Sequence, residues 1–251
     1  MSMLASALFF GVPAAIGVIL LYVAMPALAK AGMSVFWNYV VTVAGMFPLL
    51  LGAALVVHRL EGRQLTWQQI KLRFRLHPIS GRDWLWTAGL LVIYVGGPLL
   101  LSPTARWLAS AIPLPIPEGL PHVLDPRMAK TSIPTEFLGV GLRGSWGILL
   151  VYLVILLLNI VGEELWWRGY VLPRQELTHP RWAWLAHGIL WTLFHTPFWW
   201  NLPSLLPSTL SLSFVAFRMK NTTPGIVVHL FNNGLGFVTI LLGVVGLGAS
   251  P

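Results

Sequence analysis

Long apolar stretches alternate with short polar ones along this chain. A helix needs about 20 apolar residues to cross a bilayer. On that measure the pattern predicts spans at 4–28, 35–57, 84–101, 146–165, 182–200, 203–217 and 224–247. The third and sixth are short, which leaves room for a broken or re-entrant segment and for six to eight spans. No internal repeat, low-complexity tract or linker divides the chain. The expected fold is all-α, a polytopic transmembrane helical bundle of about seven spans forming one integral membrane domain over 1–251. Leu4 to Leu28 has no basic residue before it and is longer than the apolar region of a signal peptide, so it reads as a retained span. Neither end shows a lipidation motif.

Two segments depart from this pattern. Ile70-Lys71-Leu72-Arg73-Phe74-Arg75-Leu76 alternates strictly, a strand-like period. It is expected either to lie along an anionic membrane surface or to be a solvated connection. The 102–145 loop holds Pro103, Pro113, Pro115, Pro117, Pro121, Pro126 and Pro134, which argues against regular structure there.

Composition sharpens the picture. Of 251 residues 56% are hydrophobic and only 10% charged, against about 25% charged in an ordinary soluble domain. So few charges cannot cover a water-soluble globule, which excludes a soluble enzyme, a disordered chain and a nucleic-acid module. The absence of cysteine removes disulfides, thiolate metal sites and a cysteine nucleophile. Basic residues concentrate in alternate loops. Arg59, Arg63, Lys71, Arg73, Arg75, Arg82, Arg168, Arg174, Arg181, Arg218 and Lys220 fall on one side, and Lys30, Arg106, Arg127, Lys130 and Arg143 on the other. The positive-inside rule then places the N-terminus and the first group in the cytoplasm, with the plasma membrane of a prokaryote as the expected location. Trp84, Trp86, Trp146, Trp182, Trp184, Trp199 and Trp200 sit at predicted span ends, where indoles favour the headgroup level.

Polar residues inside the spans carry the chemistry, because ionisable groups at membrane depth are costly. The first cluster runs Asn159-Ile-Val-Gly-Glu163-Glu164-Leu-Trp-Trp-Arg168. Adjacent helical residues are turned about 100° apart, so Glu163 and Glu164 face different ways. Glu164 and Arg168, four apart, suit an ion pair, equally an interfacial salt bridge closing a span. Glu163 is left available, four residues after Asn159. The second cluster is Trp191-Thr-Leu-Phe194-His195-Thr196-Pro197, with His195 in an apolar run; taken alone it reads as a core histidine, and His187 reads as structural. The third is His229-Leu-Phe-Asn232-Asn233. His229 and Asn233 share a face, and an interhelical hydrogen-bond clasp is the bland alternative.

Together the clusters form a set. A carboxylate and an imidazole can jointly take a proton from water. A second imidazole and a carboxamide can donate to a developing oxyanion. That is a minimal kit for hydrolysing an amide without serine, cysteine or metal, given a polar cavity that water reaches from the cytoplasm. His195, His229 and Glu163 are also a conceivable zinc set. The His-Glu-x-x-His pattern is absent, however, and His229 beside Asn233 suits a donor better than a ligand, so no cofactor is expected.

Glu163-Glu164-x-x-x-Arg168, then Trp191-x-x-x-His195, then His229-x-x-x-Asn233, in successive spans, resembles the type II CAAX prenyl endopeptidases and their bacterial relatives, also called the CAAX protease and bacteriocin-processing (CPBP) family. The resemblance covers roughly 150 to 240, within a catalytic core at 146–247. It implies an all-helical intramembrane peptidase, with Glu163 and His195 activating water and His229 and Asn233 forming the oxyanion site. Glu164 and Arg168 would be needed for activity or for holding the motif helix. One departure is Trp191, where the family usually has phenylalanine. The implied partners are the lipid bilayer and a membrane-embedded or lipidated peptide or protein substrate, with no nucleic acid. Two other classes fit the same residues: a non-catalytic scaffold or bacteriocin-immunity protein of this fold, and a proton-coupled transporter. Against the transporter stands the lack of a repeated half.

Overall fold

The computed structural model describes residues 1–128 and 133–248. Among them eight helices follow in order: α1 Met3–Lys30, α2 Val35–Leu60, α3 Trp67–Arg73, α4 Asp83–Ala111, α5 Trp146–Thr178, α6 Ala183–Phe194, α7 Leu202–Met219 and α8 Thr223–Val244. A two-stranded antiparallel hairpin, β1 Glu136–Phe137 and β2 Val140–Gly141, lies before α5. Five helices, α1, α2, α4, α5 and α8, are long and apolar enough to cross a membrane, with mean hydropathy of 1.7 to 2.4. The shortest, α8, has 22 residues, about 33 Å at 1.5 Å each, against a hydrocarbon core of about 30 Å.

The side chains are arranged for lipid rather than water. Along α1, Leu4, Leu8, Val12, Ile16, Ile19 and Val23 point outward, while Ser6, Phe10 and Gly17 are buried. An apolar stripe turned away from the bundle, repeated on α2, α4 and α5, is stable only against hydrocarbon. The chain is an integral, multi-pass membrane protein.

Three expectations need correction. The third span is not short: α4 continues from Asp83 through Pro103 to Ala111, into the stretch read as irregular. That stretch also holds a 3₁₀ turn, His122–Leu124, and the hairpin. The fifth span is broken, since α6 ends at Phe194 and Thr196–Asn201 is a 3₁₀ segment with non-helical backbone at Phe198. Pro197, which has no N–H to donate, sits in that break. Finally, 70–76 is no strand. Thr66 caps α3 by accepting from the Gln69 N–H, and Phe74 turns fully inward beside His58 and Gly169. A lone strand has no edge to pair with in a helical bundle.

The polar ends sort onto two faces. At one, the N-terminal ammonium donates to the Arg174 carbonyl and Thr178 Oγ1, both at 2.6 Å. Glu61 pairs with Arg73 and Arg174, and Thr222 Oγ1 donates to the Phe74 carbonyl at 2.8 Å. Arg75 and Lys220, both in left-handed backbone at φ 56° and 52°, end on Glu176, each at 2.9 Å. The predicted basic loops therefore meet at this end, hereafter the basic end. Arg168 leaves that group: it is 1% exposed, inside the bundle. At the far end Lys30 pairs with Glu118, and the Gly144 N–H donates to the Val244 carbonyl. Lys130 lies outside the described residues. Of the tryptophans expected at span ends, Trp84, Trp86, Trp146 and Trp182 are exposed, whereas Trp200 is fully buried.

Backbones approach closely where the bundle is tight. A side-chain carbon at Gly97 would stand 2.6 Å from Pro207, joining α4 to α7, and one at Gly162 would stand 2.7 Å from the Phe47 carbonyl, joining α5 to α2. Small residues let helices pack without a hydrophobic driving force. Near the basic end an aromatic cluster of Phe10, Phe74, Trp166, Trp167 and Tyr170 fills the interior.

Candidate active site

The site lies where three helices depart from regularity or begin. In α5 the turns Glu164–Val171 are π-helical, a widening that often marks functional sites. His195 caps the broken end of α6. His229 sits in the second turn of α8, after Pro224 at its start.

Glu163 and Glu164 do face different ways. Glu163 is 5% exposed and borders a cavity of about 350 Å³. Its Oε1 accepts from Asn159 Nδ2 at 2.7 Å, while Oε2 is buried with no hydrogen-bond partner. Glu164 is fully buried and does not line that cavity. Its Oε1 stands 3.2 Å from Arg168 Nη1 and 3.2 Å from His229 Nδ1. Its Oε2 abuts Gly225 so closely that any side chain there would collide with it. The Arg168 guanidinium lies 3.4 Å from the centre of the Trp191 ring, within cation–π range.

Both cavity histidines are oriented by their Nδ1. His195 Nδ1 donates to the Trp191 carbonyl at 2.9 Å, since a carbonyl only accepts. In the neutral ring this leaves the Nε2 lone pair free. His229 Nδ1 donates to the Glu164 carboxylate, so its Nε2 donates in turn only when the ring carries both protons. Asn233 Nδ2 donates to Asn159 Oδ1 at 2.8 Å, and Asn232 Nδ2 to Asn233 Oδ1 at 3.1 Å.

The structure thus brings Glu163, His195, His229 and Asn233 around one cavity, with Glu164 and Arg168 behind His229. His187 is structural, fully buried and paired through Nδ1 with Gln175 Oε1 at 2.7 Å. Sequence reading did not give Asn159 a role in the site. The signal was its position one helical turn before Glu163. Tyr94, on the cavity wall with its ring 6.1 Å from His229, carried no signal beyond its place in an apolar span.

The rest of the wall is mostly apolar, with Met46, Phe47, Trp191, Phe194, Phe198 and Leu205, and adds the hydroxyls of Thr42, Ser208 and Thr209 and the carboxamide of Asn232. Helix direction fixes its course. Measured from the basic end, Asn159 lies deeper than Glu163, Asn233 deeper than His229, and the lining residues Pro13, Gly17 and Leu21 deeper than Phe10 of the aromatic cluster. The lining leads away from the basic end, the side expected to be cytoplasmic and from which water was expected. Among the described residues no three His, Cys, Asp or Glu side chains are placed to hold a metal ion.

Comparison with curated proteins finds no match, and neither does comparison with solved structures. A protein-family model does match, over the segment that carries all six predicted site residues. Residues 145–235 of this chain match the family described as Type II CAAX prenyl endopeptidase Rce1-like, a family of proteases.

Proposed function

We propose that this chain is an intramembrane endopeptidase of the glutamate type, CAAX-protease-like, which hydrolyses a peptide bond with a water activated by Glu163 and His195. The observation that carries the reading is the meeting of Glu163, His195, His229 and Asn233, from three separate helices, at one cavity inside the bundle. Asn159 occupies one oxygen of Glu163 and leaves the other free to take a proton from water. His195, held by the Trp191 carbonyl, offers Nε2 as the second acceptor. As water attacks the carbonyl carbon, negative charge grows on the carbonyl oxygen. Asn233, with one N–H not used by Asn159, donates to it, and so does His229 Nε2 whenever the ring carries both protons. Glu164 steadies that imidazolium, and Arg168 balances Glu164. The proton then passes to the leaving amine.

No metal takes part in this reading, and activity is expected to survive chelation. The apolar walls favour a membrane-embedded or lipidated peptide substrate. The test is purified protein against a panel of lipidated and transmembrane peptides. Glu163→Gln should lower kcat about 10²- to 10⁴-fold, the range for losing a positioned base. Unchanged cleavage by that variant would remove Glu163 from the mechanism.

A further inference from the structure

Three cavities stand in series from the site toward the far end, the first being the site itself. A second cavity, about 290 Å³, shares Asn159, Asn232 and Asn233 with the first and adds Tyr39, Tyr152 and Gly236 to its walls. A third, about 620 Å³, shares Tyr152 and Gly236 with the second and reaches His122, Glu136 and the hairpin residue Leu138. The carboxamides, with the ring of Phe47, which also lines both cavities, therefore form one partition, and Tyr152 with Gly236 the other.

The second cavity is polar for its depth. Two phenols and three carboxamides are among its nine lining residues. In hydrocarbon such groups need hydrogen-bond partners. A water occupies about 30 Å³ and wants two to four polar partners, both of which this space supplies. In the carboxamide chain each amide spends one N–H on its neighbour. The second N–H of Asn159 and that of Asn232 remain to hand water from one side of the partition to the other. At the second partition a side-chain carbon on Gly236 would lie 2.8 Å from the Tyr152 hydroxyl, so glycine alone leaves the gap open. In the other direction the aromatic cluster closes the interior.

The geometry points to a water passage: the second cavity holds water and supplies the catalytic cavity from the end of the molecule opposite the basic loops. Its purpose rests on the hydrolytic reading, but its existence can be tested without activity. The chain has no cysteine, so a single Ile155→Cys in the cavity wall reports on solvent. Sealed vesicles would be treated on either face with a charged, membrane-impermeant thiosulfonate. Ser110→Cys marks the far end and Gln68→Cys the basic end, both at exposed positions.

Ile155→Cys should react at least tenfold faster from the face that labels Ser110→Cys. Adding Gly236→Leu should slow it at least tenfold. Adding Tyr152→Ala, which shortens the opposing side chain, should speed it several-fold, so the two variants move the rate in opposite directions. Absence of labelling from both faces, or labelling as fast from the Gln68→Cys face, overturns the passage. A rate that Tyr152→Ala leaves unchanged overturns the gate. The loss of cleavage in Glu163→Gln is read separately, so either proposal can fail alone.

Discussion

Replacing Arg168 with methionine should unfold the bundle more readily than any surface change, and the structure sets the size of the effect. Arg168 is 1% exposed and its partner Glu164 is fully buried. At 3.2 Å and an effective dielectric of about 20, their attraction is about 5 kcal/mol. Methionine keeps much of the side-chain volume but strands the Glu164 charge, and breaking a buried pair costs about 3–5 kcal/mol. The contact with Trp191 goes too, worth about 2 kcal/mol when desolvated. The two losses together, about 5–7 kcal/mol, shift the unfolding equilibrium by about three and a half to five powers of ten. The assay is equilibrium unfolding in detergent micelles, with the double variant Glu164→Gln/Arg168→Met as control. Removing both charges should return most of the lost stability, because the desolvation of a buried pair roughly cancels its attraction. Activity should not return, since His229 has lost the carboxylate that steadies its imidazolium. A single variant within about 1 kcal/mol of the parent, or a double variant no more stable than the single, would refute this account of the pair.

Other outcomes follow from the same coordinates. Gly225→Ala should push Glu164 off His229 and lower kcat at least tenfold, measured on a peptide that the parent cleaves; parental kcat would mean the carboxylate can move freely. Trp191→Phe should keep activity within a few-fold, because His195 is held by a backbone carbonyl, and should cost about 1 kcal/mol in cation–π attraction, read as a lowered Tm. Trp191→Ala should cost about 3–5 kcal/mol through the cavity it leaves. In the far-end loop, hydrogen bonds from Arg127 hold the Asp125 carboxyl below the usual carboxylate range. A depressed folded pKa stabilises above the unfolded value, about 3.9, and that contribution disappears as pH falls through the folded one. The hydrogen-exchange protection factors of 122–128 should therefore hold down to about pH 4 and fall only below it, and Arg127→Ala should move that fall to higher pH.

Much of this protein is written in local pattern. The spans are visible because crossing hydrocarbon demands runs of apolar residues that no tertiary contact can replace, and the bundle follows from them. The opposed faces of Glu163 and Glu164 and the pairing of Glu164 with Arg168 also follow from helix geometry alone. Other features depended on partners distant along the chain. The alternation at 70–76 misled, because Phe74 is placed by His58 and Gly169 rather than by a neighbouring strand. By sequence Arg168 counts with the basic loops as well as pairing with Glu164, and only the packed bundle shows it buried under Trp191. His229 and Asn233 share a face as their spacing requires, yet their partners, Glu164 and Asn159, are 65 and 74 residues away. Periodicity reports which face of a helix a residue occupies. Which other helix meets that face, and whether the space between them holds water, is decided only when the helices pack.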